Sequence, residues 1–213
     1  MLNKKAQAGI VIALMIVAII GIGFYLYKTG AVKYPTAPEQ GRVVFAIKDK
    51  AADMGSISQV IITVDKVQAH SETQSWVDIS TTSKTYDLIQ LKTKGELAVI
   101  ADGNIKAGSY DQIKLDVSKV TVVDSQGTHE AKLPSNELKI NVDMQVDNNS
   151  TATATFDFIA DESLHVTGNG KYIFAPVVKV QTRSNAQVNN KFNKGIEIKE
   201  GDIKSSHNIQ NTK

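Results

Sequence analysis

The sequence predicts an all-β domain, an antiparallel β-sandwich, preceded by one N-terminal transmembrane helix. Three observations predict it. An uncharged run of 19 residues spans Gly9 to Tyr27. From Arg42 onward, apolar residues alternate with a period of two. Turn residues (Gly, Asn, Pro) recur between the alternating stretches at roughly ten-residue spacing, the pattern of sandwiches and barrels.

The apolar run, GIVIALMIVAIIGIGFYLY, spans about 28 Å as a helix, close to the roughly 30 Å of a bilayer core. It is longer than a signal-peptide core, and no small-x-small site follows it, so an uncleaved anchor is expected. Phe24, Tyr25 and Tyr27 lie at its distal end, where amphipathic rings favour the membrane interface. Lys4, Lys5 and the amino terminus outweigh Lys28 and Lys33, which orients the N-terminus to the cytoplasm and the body outside. The start, NKKAQAGIVIAL, also resembles the leader of archaeal pilin-like precursors, with cleavage expected between Ala6 and Gln7. Those helices commonly carry Glu at the fifth mature position; here it is Val11.

The expected division is an anchor over 1–28, a linker over 29–40, a sandwich over 41–183 and a flexible polar tail over 184–213. Pro35 and Pro38 make the linker an extended spacer. Strand faces are expected at Val43, Phe45 and Ile47, then at Val60, Ile62 and Val64. Further strands are expected around Trp76, at Leu88 and Ile89, and at Leu97, Val99 and Ala101. The alternation continues at Ile113, Leu115 and Val117, and at Leu138, Ile140 and Val142. Phe156, Phe158 and Ala160 follow, and Ile173, Val177 and Val180 close the series. Turns are expected at Met54-Gly55, Lys94-Gly95, Asp102-Gly103, Gln126-Gly127, Pro134-Ser135, Asn148-Asn149 and Gly168-Asn169-Gly170.

An internal echo links two of these stretches. Gly55-Ser56 followed by QVIITVDKV (59–67) matches Gly108-Ser109 followed by QIKLDVSKV (112–120), offset by 53. In both, the alternation skips one residue before Val67 or Val120, as a β-bulge would. The two strands are expected as equivalent positions in two sheets or as neighbours in one.

Composition excludes several functions. With no cysteine there is no disulfide, thiolate metal site or cysteine nucleophile. The net charge of +2 is unevenly placed: +3 over residues 1–40, −3 over 41–184 and +2 over 185–213. A slightly acidic body lacks the basic face that nucleic acid requires. No GxSxG elbow, GxGxxG or P-loop lysine occurs in the body. His129-Glu130 begins like HExxH, but Leu133 stands where the second His must be. Asp102-Gly-Asn104 and Asp143 to Asp147 lack the spacing of a calcium loop, so no cofactor is expected and calcium is held as a secondary idea.

The stretches GRVVFAIKDKAAD, ISQVIITVDKVQAH, SWVDIS, TYDLIQL, IKAGSYDQIKLDV, LPSNELKI, TATATFDFIADESLHVTGNGKY and APVVKV, in that order, resemble the DUF4382 domain family of bacterial and archaeal surface proteins. That family often has Pro in its first loop, where this chain has KAAD (50–53). The resemblance implies an extracytoplasmic sandwich, immunoglobulin-like or carbohydrate-binding-like, with no enzyme activity.

The expected function is therefore a membrane-anchored, non-catalytic surface module that binds or adheres. Its expected partners are the membrane, through residues 9–27, and surface glycans or other surface proteins. The alternative is a pilin-like subunit processed before Gln7. Candidate ligand-binding residues are Trp76, Tyr86 and Tyr110, whose rings could stack on sugars although core packing competes for each. Asn148 and Asn149 begin overlapping N-x-[ST] sequons and are candidate glycosylation sites.

Overall fold

The computed structural model of the chain describes residues 4–30, 39–50, 54–191 and 195–210, and within them the side chains of all but 4–13 and 205–210. Most of the proline spacer and residues 51–53 of the first loop lie outside the described residues. The chain divides into two compact units, Met1–Pro38 and Glu39–Lys213.

The first unit is helix α1 (Lys4–Lys28), 25 residues without an acid in its first turn and with Lys28 in its last. At 1.5 Å per residue it is about 37 Å long. Its described apolar side chains are exposed, from 52% at Ile16 to 69% at Ile19, except Leu26, which is half-buried. Thr29 Oγ1 donates to Tyr25 O at 2.9 Å where the helix ends. Among the described residues no helix is both long and apolar enough to cross a membrane. The described side chains of α1 begin at Leu14, so they cover only part of the Gly9 to Tyr27 run.

The second unit is built from β1 (Gln40–Asp49), β2 (Gln59–Ser71), β3 (Ser75–Ser80), β4 (Lys84–Asp87), α2 (Leu88–Lys94), β5 (Ala98–Lys106), β6 (Gly108–Asp124) and β7 (Gly127–Glu130). There follow β8 (Glu137–Val146), β9 (Thr151–Phe158), α3 (Ala160–Ser163), β10 (Leu164–Val166), β11 (Tyr172–Phe174), β12 (Val177–Ser184), β13 (Gln187–Lys191), β14 (Gly195–Lys199) and β15 (Asp202–Gln210). One sheet has the order β15-β12-β9-β1-β5. The other has the order β3-β2-β6-β7, with β4 added to β2 and β8 to β6.

The inward residues of both sheets form one core. Val43, Phe45, Ile47, Phe156, Phe158 and Val180 of the first sheet meet Ile62, Val64, Ile113, Leu115, Ile140 and Met144 of the second. Phe45 and Phe156 pack edge to face at 6.1 Å. The expected sandwich-like, β-rich body is therefore present. It is not purely antiparallel, because β1 and β9 pair in parallel from Arg42↔Thr151 to Asp49↔Phe158.

The sequence echo becomes a pair of bulges. β2 and β6 are antiparallel neighbours in one sheet. Thr63 faces Lys119, Val64 faces Val117, and Lys66 faces Asp116, leaving Asp65 and Ser118 as the extra residues on either side of the Val64/Val117 pair. Ser83 Oγ donates to Asp65 Oδ1 at 2.6 Å. Hydrogen bonds from Ser83 and then Ser118 lower the Asp65 pKa. Each bulge shifts the side-chain phase by one, so Ile62 and Val67, and likewise Leu115 and Val120, all face the core.

Four expectations need correction, the last being that Ala160, expected on a strand with Phe156 and Phe158, begins helix α3 instead. Leu88 and Ile89 begin helix α2 rather than a strand. Asp87 caps it, accepting from the Ile89 and Gln90 amides, and Gly95 at φ 62 ends it. Leu88 and Leu91, one turn apart, are its buried face. Asp102-Gly103 is not a turn: both lie inside β5, Gly103 opposite Val43 and Asp102 opposite Val44. A register shift near Phe45/Ala46 turns Ile100 and Ala101 inward, while Leu97 and Val99 pack outside with Val44, Ala46 and Ile196.

The third correction concerns residues 184–213. Where a flexible tail is expected, the described residues up to 191 and over 195–210 supply β13, β14 and β15. β15 forms the sheet edge beside β12, and the β13–β14 hairpin lays Val188, Ile196 and Ile198 on the outer apolar patch of β1 and β5. Gly195 (φ 71) lets the Ile196 amide reach the Leu97 carbonyl at 2.9 Å; a side chain there would collide with that carbonyl.

Candidate functional site

The three aromatic candidates do not form a site. Tyr86 is buried and donates to Val99 O at 3.0 Å; burial pushes its pKa up to about 12. Tyr110 is only 1% exposed, donates to Lys106 O at 2.9 Å and accepts from Gln74 Nε2 at 3.1 Å. Both rings are core, because each sits at an inward strand position with a backbone acceptor for its hydroxyl; neither can stack on a sugar. Trp76 lies on the outer face of the second sheet opposite His70. The His70 ring centroid is 5.1 Å from its own, and Lys114 Nζ sits 5.0 Å from the ring centroid. Asn148 and Asn149 occupy the exposed β8–β9 turn, with Asn149 at φ 56.

The structure instead builds a cleft where two hairpins meet. The β6–β7 turn is set by Asp124, whose Oδ1 accepts from the Gln126 and Gly127 amides at 2.7 and 3.1 Å. This side-chain-to-backbone closure is a common use of Asp in turns. The same oxygen lies 3.1 Å from His129 Nε2. Its Oδ2 accepts from the Tyr172 hydroxyl at 2.6 Å. One carboxylate therefore orients a ring from each hairpin, and the His129 and Tyr172 centroids lie 5.6 Å apart.

The second hairpin, β10–β11, is closed by Thr167. Its amide donates to Lys171 O at 2.8 Å, and Gly170 N donates to Thr167 O at 2.9 Å. The hairpin is tied to the chain after β7 by Lys132 N to Tyr172 O and Phe174 N to Lys132 O, each 2.9 Å. Between them lies an open cleft of about 470 Å³ lined by His129, Glu130, Lys132, Thr167, Asn169, Gly170, Lys171, Tyr172 and Ile173.

Electrostatics fix the protonation of the orienting group. The Tyr172 hydroxyl first, then the Gln126 amide and His129, hold the Asp124 carboxyl down to about 2. The same hydrogen bond raises the Tyr172 hydroxyl pKa. The carboxylate is thus an acceptor only, and its four donors fill it. The cleft offers two aromatic faces, cationic Lys132 and Lys171, anionic Glu130 and the Asn169 amide. That inventory suits recognition of a polar ligand with a flat or ring-shaped face.

Of these residues the sequence singles out His129 and Glu130 as a failed metal motif, Asn169 and Gly170 as a turn and Ile173 as a strand position. The readable signal was Asp124-Ser-Gln-Gly127 between two alternating stretches, an Asp-closed turn. Tyr172 had none, since its partner lies 48 positions away. For the calcium idea, Asp102 pairs with Arg42 through a fork of 2.9 and 2.6 Å. Among the described residues no group of three or more His, Cys, Asp or Glu could hold a metal ion.

A family model described as a domain of unknown function (DUF4382) matches residues 40–176. No curated protein and no solved structure matches the chain significantly. The matched segment ends before β12, yet β12 lies between β9 and β15 in the first sheet.

Proposed function

The chain belongs to the DUF4382 family, and from that premise we propose that it is a membrane-anchored, non-catalytic binding module of the cell surface. The observation that carries this reading is the cleft in which Asp124 fixes the His129 and Tyr172 rings beside Lys132 and Lys171. The ligand is a surface glycan. Ring faces supply the stacking contact, and the flanking amide and charged groups supply hydrogen bonds to hydroxyls. The Tyr172 hydroxyl already donates to Asp124, and no serine, threonine or lysine nucleophile is paired with a base in the cleft, which favours binding over catalysis.

The anchor is α1. Support comes from its uncharged run over Gly9 to Tyr27, its exposed apolar side chains and the flanking lysines. The body is extracytoplasmic, in keeping with the lysine asymmetry across the run. The test is a glycan array probed with the full chain in zwitterionic micelles, which carry no sugar headgroup to compete. Wild-type protein is expected to retain a subset of glycans, and Tyr172→Phe and His129→Ala to release them. Silence of wild-type protein across the array would refute the glycan reading.

A second reading, a pilin-like filament subunit, is favoured by the basic pair and polar step before the helix in NKKAQAG. Its test is the intact mass of the native protein. A chain beginning at Gln7 supports it; one beginning at Met1 or Leu2 removes it.

A further inference from the structure

A second polar site lies on the outer face of the first sheet, away from the hairpins of the cleft. Strand β9 turns Ala152, Ala154, Phe156 and Phe158 into the core, so Thr155 and Asp157 face outward. Asp157 stands between Lys48 of β1 and Lys179 of β12, its register partners on either side. Thr155 has Gln181 as its partner on β12. Together with Val180 these residues line a trough of about 160 Å³.

The carboxylate is the unusual member. Asp157 is only 9% exposed, and its Oδ2 is 3.0 Å from Lys48 Nζ. Its Oδ1 is buried and meets no donor. Buried charged oxygens are nearly always hydrogen-bonded, because leaving one unmade forfeits its solvation. A group entering the trough must therefore bring a donor to Oδ1. It must also bring acceptors for the Lys179 ammonium and the Gln181 amide.

Charge selects the ligand class. A cation would enter between two lysines, and an anion would approach a carboxylate with a free oxygen. A vicinal pair of neutral hydroxyls brings a donor and acceptors on adjacent atoms. We propose that this trough binds a neutral polyol, such as the exposed diol of a sugar, through Asp157, Lys179 and Gln181. The site shares no residue with the cleft, so it stands whether or not the cleft binds glycans.

The experiment titrates the full chain in zwitterionic micelles with mannitol, gluconate, putrescine and glycine, reading saturation-transfer NMR and calorimetry. Saturable mannitol binding is expected, with the charged and zwitterionic probes weak or silent. Asp157→Asn is expected to weaken mannitol by at least about tenfold, the loss of one charged hydrogen bond. Thr155→Leu keeps every charge, fills the trough and is expected to abolish binding. Absence of saturable mannitol binding to wild-type protein overturns the proposal, as does preference for gluconate, putrescine or glycine. Loss on Tyr172→Phe with Asp157→Asn unaffected would assign the binding to the cleft and likewise overturn it.

Discussion

Deleting Thr121 is the sharpest perturbation of the fold. Thr121 lies between Val120 and Val122 in the regular stretch of β6 beyond the bulge, opposite Ile61. Because the side-chain period of a strand is two, its removal makes Val120 and Val122, both 0% exposed, consecutive, and only one of them can face the core. A fully buried valine contributes about 1.5–3 kcal/mol, so the deletion should cost at least that much. That is a large part of the roughly 5–15 kcal/mol that holds a domain folded. Deleting Ser118 is the control. Ser118 is one of two extra residues that flank the Val64/Val117 pair, and its removal leaves Lys119 as the single outward residue between Val117 and Val120, with Thr63 still opposite Lys119. The alternation is kept, so this deletion should cost under about 1 kcal/mol, typical of an exposed site. Urea unfolding followed by Trp76 fluorescence measures both. A Thr121 deletion with the wild-type midpoint, or a Ser118 deletion that costs as much as the Thr121 deletion, would refute the argument that the count of residues sets the phase.

Three further outcomes follow from named contacts. Tyr110→Phe removes the hydroxyl that donates to Lys106 O at 2.9 Å and should lower unfolding free energy by about 0.5–1.5 kcal/mol in the same assay. Gly195→Ala forces a side chain into a left-handed conformation against the Leu97 carbonyl. The strain alone is about 1–2 kcal/mol, and hydrogen exchange should show the Ile196 amide losing protection. Asp124 has a folded pKa of about 2, below its ordinary 3.8, so its contribution is present above about pH 4 and is lost as pH falls through about 2. Protection of the Gln126 and Gly127 amides, taken relative to their intrinsic exchange at each pH, should fall over that window, and Asp124→Asn should abolish that fall.

Much of the sandwich was legible because strands with one wet face carry a period-two signal. Val43-Phe45-Ile47 and Ile113-Leu115-Val117 point inward as read. The skip before Val67 and Val120 was legible as a bulge for the same reason. The C-terminal strands escaped because β15 is a polar edge strand and β13–β14 covers only a small patch with Val188, Ile196 and Ile198. Helix α2 escaped because two apolar residues, Leu88 and Ile89, suit either period; the Asp87 and Gly95 caps were the deciding signal. The cleft was the least legible part. Asp124 and Tyr172 meet only through the packing of two hairpins, and a lone aromatic in sequence does not declare whether its ring is buried, as Tyr86 and Tyr110 are, or open.

The most direct test of the account is protease shaving of intact cells of the source organism, followed by mass spectrometry of the membrane and supernatant fractions. The account predicts that peptides from residues 39–213 are released from unbroken cells while the Gly9 to Tyr27 segment stays with the membrane. A body that is cut only after lysis, or a full-length chain recovered free of membrane, would contradict it.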